Sequence, residues 1–192
     1  YIPPWKADPD YRHYLNERVL TDAEIDLITE WISTGMSEGN KTKESLPVKR
    51  LYYKTVPDLT LTMAESYDIP NSNTDDFRFF HLPMDISELR YLRAIEFMPG
   101  NRRYVHHSRM MVDSTQNMSG IDGMSEFDPK VSEFQKTPLA DEFLYGWVPG
   151  SFPLFFPDGV GKRLEPNADL ILNIHYSPTG RSQKDQSTVN FY

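Results

Sequence analysis

Apolar and polar positions along this chain alternate over short runs instead of recurring at helical spacing. The runs at 59–63, 76–82, 90–98, 104–113, 143–148, 169–176 and 187–192 are rich in aromatic and β-branched residues and are bounded by clusters of Pro, Gly, Asn and Asp, so each reads as a strand. Seven such runs predict an all-β fold, an antiparallel β-sandwich or jelly roll. The first 40 residues differ in kind. Residues 2–10 carry three prolines, and each fixes its own φ and pushes its predecessor out of the helical region, which gives an extended lead-in. Thr21 followed by Glu24 forms a capping box, Ile25, Ile28, Trp31 and Ile32 recur at helical spacing, and Gly35 stands where a left-handed C-cap belongs, so a helix starts near residue 22. Residues 37–50 are polar, charged and aperiodic, which marks a linker. The chain therefore divides into a short N-terminal helical arm with its linker, residues 1–45, and a β-sandwich, residues 46–192. Residues 114–141 are rich in Ser, Gly, Met and Asp with weak periodicity, the pattern of a long functional or mobile loop.

Composition narrows the function classes. A chain of 192 residues accommodates one sizeable domain and an appendage, and 13% aromatics with 15 Pro and 10 Gly suit many short strands and turns. The net charge of -8, with 20 basic residues scattered along the chain, offers phosphate backbones little attraction and argues against nucleic acid as a partner. The longest apolar run, 168–176, is interrupted by Asp169, Asn173 and His175, so no membrane span is expected. The lack of cysteine excludes disulfides, zinc-thiolate sites, iron–sulfur clusters and covalent haem attachment within these residues. The chain begins at Tyr1 and not at Met, which points to a processed or partial polypeptide whose signal peptide, if any, lies outside it.

Three of the five histidines stand out: the pair His106-His107, and His175 within Leu-Ile-Leu-Asn-Ile-His-Tyr. Three neutral imidazoles with an open position suit copper or zinc. Successive side chains on a strand point to opposite faces, so the pair can address one ion only if a bulge, bend or strand end re-aims one ring. On its own strand His175 shares a face with Ile171 and Asn173, while Leu170, Leu172 and Ile174 line the other. Asn173 then either supports His175 or meets solvent. Taken alone, these positions fit ordinary hydrogen-bonded histidines better than a metal site. His81, alternating with aromatics, fits a sheet surface, and His13 has no companion donors nearby in sequence. Met110, Met111, Met118 and Met124 are soft thioethers that could meet Cu(I), but more readily fill gaps in a core or loop. Asp75-Asp76 and Asp22 with Glu24 sit in turn and cap contexts, where solvation accounts for them. No phosphate cradle, nucleophile elbow or metalloprotease helix is present.

Three stretches taken in order resemble a known family. They are Ala94-Ile95-Glu96-Phe97-Met98-Pro99-Gly100-Asn101-Arg102-Arg103-Tyr104-Val105-His106-His107, then Gly146-Trp147-Val148-Pro149-Gly150, then Leu170-Ile171-Leu172-Asn173-Ile174-His175-Tyr176. From about residue 55 onward the chain resembles the N-terminal domain of the copper type II, ascorbate-dependent monooxygenases, the family of peptidylglycine α-hydroxylating monooxygenase and dopamine β-monooxygenase, in its bacterial form. The resemblance implies His106, His107 and His175 as the ligands of one copper that shuttles electrons from a reductant such as ascorbate. It implies, as partner, a second copper domain or protein that activates dioxygen and attacks a C–H bond. Val189-Asn190-Phe191-Tyr192 looks like the last strand of the first domain, so hydroxylation is not expected of this polypeptide alone. The first 40 residues resemble the C-terminal end of a c-type cytochrome domain, through Pro3-Pro4-Trp5, Leu15-Asn16-Glu17-Arg18 and Leu20-Thr21. Ile2 occupies the position of that pattern's haem-ligating Met, and the attachment motif would lie upstream of Tyr1, which argues against haem in this chain.

The leading expectation is thus a periplasmic or secreted β-sandwich that binds one copper and passes single electrons within a larger monooxygenase-like oxidoreductase. A competing expectation is a non-enzymatic interaction or structural module that uses aromatics such as Tyr52, Tyr53, Phe155 and Phe156 to hold a partner. A third is zinc in the same cage, acting hydrolytically.

Overall fold

The structure, a computed structural model, describes residues 8, 10–14, 17, 19–40, 56–135 and 143–192. The chain separates into two compact units, Tyr1–Val48 and Lys49–Tyr192. Pro3, Pro4, Trp5, Leu15, Asn16 and Arg18, the linker residues 41–50, and Tyr52 and Tyr53 lie outside the described residues.

In the first unit the capping box starts a helix, α1 (Asp22–Ser33). The Glu24 amide donates to Thr21 Oγ1 at 3.3 Å and Glu24 Oε2 accepts from the Thr21 amide at 2.8 Å, so donors left without helical partners are satisfied reciprocally. Gly35 follows at φ +92°, the left-handed geometry that ends a helix cheaply. No residue of α1 is buried.

The second unit is all-β, with twelve strands among the described residues. In chain order these are β1 (Leu59–Thr62), β2 (Tyr67–Ile69), β3 (Asp76–Pro83), β4 (Arg90–Leu92), β5 (Ala94–Met98), β6 (Val105–Asp113), β7 (Phe143–Trp147), β8 (Leu154–Phe155), β9 (Lys162–Leu164), β10 (Asp169–Tyr176), β11 (Gln183–Asp185) and β12 (Thr188–Phe191), with a short helix α2 (Pro129–Gln135) between β6 and β7. Two four-stranded antiparallel sheets, ordered β1-β12-β5-β8 and β3-β10-β6-β7, form the sandwich, and β11-β2 and β4-β9 are two-stranded annexes.

Alternation explains the packing. The inward positions of β10, Leu170, Leu172, Ile174 and Tyr176, are buried together with Ile95, Phe97, Val189 and Phe191 from the other sheet. The Phe97 and Trp147 rings meet edge to face at 5.3 Å across the gap. Each fully buried Leu or Ile contributes roughly 1.5–3 kcal/mol. β10 is buried on both faces, because the outer face of its sheet has its own cover. Phe79 and Ile171 on that face pack against Met118, Ile121 and Val131.

That cover comes from within residues 114–141, the segment expected to be a long functional or mobile loop. Met118, Ile121 and Val131 pack on the sheet, and the segment is anchored where Asp113 accepts from the amides of Thr115 and Met118 at 2.8 and 3.0 Å; residues 136–141 lie outside the described residues. Met118 and Met124 belong to this layer and Met110 to the main core. The run 90–98 is two strands, because the chain crosses at Arg93, whose amide donates to the Tyr192 carbonyl at 2.7 Å. The short strands β2, β8, β9 and β11 have two or three residues each, too few for alternation to register.

Candidate metal centre

The centre lies at one end of the outer face of the β3-β10-β6-β7 sheet, and a register shift builds it. Along β6 and β10, His107 pairs with His175, but the next pair is Val105 with Tyr176. His106 is therefore the extra residue of a β-bulge, two residues opposite one. Val105 and Ser108 are both buried, while His106 and His107 between them are not. Strict alternation would have sent one ring into the core; the bulge turns both outward. His175 reaches the same face by ordinary alternation, in line with Ile171 and Asn173.

Three imidazoles thus come together. Nδ1 of His107 lies 3.2 Å from Nδ1 of His106 and 3.2 Å from Nδ1 of His175. One ligand atom from each ring falls within 4.8 Å of the other two. A ring nitrogen offers either one proton or one lone pair in the ring plane, so His107 Nδ1 cannot satisfy two nitrogen neighbours well. A cation at the convergence point would satisfy all three. With metal–nitrogen bonds of about 2.0–2.1 Å, tetrahedral ligand atoms stand about 3.3 Å apart, close to the two distances present. The donor set, three neutral nitrogens without thiolate or carboxylate, fits copper or zinc and is a poor match for magnesium or calcium. His175 is 9% exposed while His106 is open to solvent, so the centre is supported from beneath and accessible from one side.

The surroundings favour the neutral form of His107. Burial holds the His107 imidazole below the usual histidine range, and the nearby His175, His106 and Arg109 push the same way, with Glu126 opposing them. On the other side of His175, Nε2 lies 2.7 Å from Asp75 Oδ1, and the Phe77 ring stacks on the imidazole at 4.1 Å and 12°. Among the described residues Asn173 makes no hydrogen bond to His175, and it does not point to solvent. It is buried, its Oδ1 accepts from Arg109 Nε at 3.0 Å and Nη2 at 2.8 Å, and its Nδ2 donates to Glu126 Oε2 at 3.1 Å.

The neighbouring acids differ from the sequence expectation. Asp75 partners His175, and Asp76 accepts from Tyr67 Oη at 2.6 Å and Arg78 Nε at 2.7 Å; neither is merely a solvated turn residue. Period-two spacing places Asp75 and Phe77 on one face with Phe79 and His81, but which strand lies beside them is long-range information. The remaining histidines have carboxylate partners of their own. His81 Nε2 meets Asp169 Oδ2 at 2.8 Å, and His13 Nδ1 meets Glu17 at 2.9 Å, a partner one helical turn away in sequence.

No protein-family model matches the chain, and a search of curated proteins returns no match.

Proposed function

We propose that Lys49–Tyr192 is a copper-binding, electron-transfer domain of a monooxygenase-like oxidoreductase, as its likeness to the three-histidine domain of the ascorbate-dependent copper monooxygenases suggests. The observation that carries this reading is the convergence of Nδ1 atoms from His106, His107 and His175, made possible by a bulge whose extra residue is itself one of the three. His106, His107 and His175 would hold the ion, and copper bound there would supply one-electron chemistry fed by a reductant such as ascorbate. The chain's own residues fix the rings: the β10 ladder positions His175, the bulge aims the pair, and burial favours the neutral, donor form of His107. C–H hydroxylation would belong to the combination with a second copper domain or partner protein. A periplasmic or secreted location follows from the same likeness.

Metal analysis and electron paramagnetic resonance of the Cu(II)-loaded protein test the reading. One copper per chain, nitrogen hyperfine structure and loss of the Cu(II) signal on adding ascorbate are expected. His106→Ala and His175→Ala should each abolish stoichiometric loading. Failure of the parent protein to bind copper, or unchanged binding in both variants, would overturn it. Firmly held zinc without redox activity would select the hydrolytic alternative instead.

A further inference from the structure

The third imidazole is gripped by the residues that lead into β3. Asp75 Oδ1 stands 2.7 Å from His175 Nε2, on the side of the ring away from the other histidines. Phe77, the cross-strand partner of His175, covers the ring face. We propose that Asp75 sets the balance between Cu(II) and Cu(I) at this centre, as a positioning and charge-donating residue that acts through His175. The inference rests on the copper reading above.

The first step is the tautomer. A carboxylate can only accept, so Nε2 carries the proton and the neutral ring's lone pair resides on Nδ1, the atom facing the convergence point. The second step is charge. A hydrogen-bonded carboxylate makes imidazole a more electron-rich donor, and its negative charge attracts the more highly charged ion more strongly. Both effects favour Cu(II). The third step is uniqueness: among the described residues no carboxylate is hydrogen-bonded to His106 or His107, whose ring contacts are to each other and to His175. Asp75 is thus the carboxylate hydrogen-bonded to the trio among the described residues, whereas Glu126 acts on His107 only through space. The Asp75 side chain is 54% exposed, so water screens part of the charge and the effect belongs to the tens-of-fold range. Asp75 precedes β3 and takes no part in a strand ladder, so its charge can be removed without disturbing the sheet.

Asp75→Asn in the full chain isolates the charge, because the carboxamide oxygen can still accept from Nε2. Cu(II) and Cu(I) affinities measured by chelator competition, the midpoint potential from spectroelectrochemistry, and melting of the metal-free protein together test the proposal. Cu(II) affinity should fall about 10- to 100-fold, Cu(I) affinity should fall less, the potential should rise, and the metal-free melting temperature should stay put. Asp75→Ala should shift in the same direction. Equal losses of both affinities with an unchanged potential would reduce Asp75 to a mechanical support and overturn the proposal, as would no change at all. Absence of copper binding in the parent protein would remove the copper reading and this inference together; normal parent binding with an unshifted variant would remove the inference alone.

Discussion

His107 is the member of the trio whose charge state bears most directly on metal capture, because it lies between the other two rings and is partly buried. Its pKa is lowered from 6.5, first by burial and then by His175, His106 and Arg109. The neutral form therefore persists to lower pH than in an ordinary histidine, and proton competition with metal at this ring begins only below the usual range. Without metal the sign is the same for stability: the folded pKa lies below the unfolded one, so the contribution is present above the unfolded pKa and is lost as pH falls through the folded one. Arg109→Gln removes one of the lowering charges, and the pH at which half the Cu(II) resonance signal disappears should move upward; a downward shift would contradict the assignment. Gly100 illustrates a different constraint. A Cβ there would sit 2.5 Å from the Gln186 carbonyl oxygen, and Gly100 belongs to the turn that feeds β6, where the Asn101 amide donates to Asp185 at 2.7 Å. Gly100→Ala should cost about 1–3 kcal/mol in thermal or denaturant unfolding, as overpacking against rigid backbone does.

At the scale of elements, the bulge separates what the fold needs from what the centre needs. Without His106, Val105, His107 and Ser108 would follow regular in–out alternation beside β10, so deleting His106 should leave the sandwich folded, with a melting temperature near that of the parent, while leaving only two imidazoles for metal. Circular dichroism with copper titration checks both halves of that outcome, and collapse of the fold would count against a bulge kept for function. The outer layer makes the opposite case, a segment that lacks pattern yet bears stability. Ile121 is fully buried against the outer face of the sheet, so Ile121→Ala should cost about 2–5 kcal/mol. Strand alternation was readable because period two repeats locally. The cover was not, because Met118, Ile121 and Val131 meet Phe79 and Ile171 only after the sheet has formed.

For the whole molecule, the two compact units imply separable behaviour. Among the described residues, every member of the main core and of the outer layer comes from residue 59 onward. A fragment starting at Lys49 should therefore fold by itself, with the same cooperative transition and the same copper stoichiometry as the full chain. Fragment unfolding and metal analysis measure this directly, and loss of either property would show that the N-terminal unit is required. The net charge of -8 disfavours anionic partners at long range, an effect that salt screens.

By itself the sequence determined the longer strands and the helix start at Thr21 and singled out the three histidines as candidates, because side-chain alternation, capping and donor chemistry are local properties that survive without neighbours. Only the tertiary structure decided that His106 and His107 share a face, that His175 is their cross-strand companion, that Asp75 stands behind it, and that Asn173 serves Arg109 instead. Each of those facts depends on the register between segments dozens of residues apart, and register is set by the packing of whole sheets, in which a one-residue shift exchanges the buried face of a strand for the exposed one.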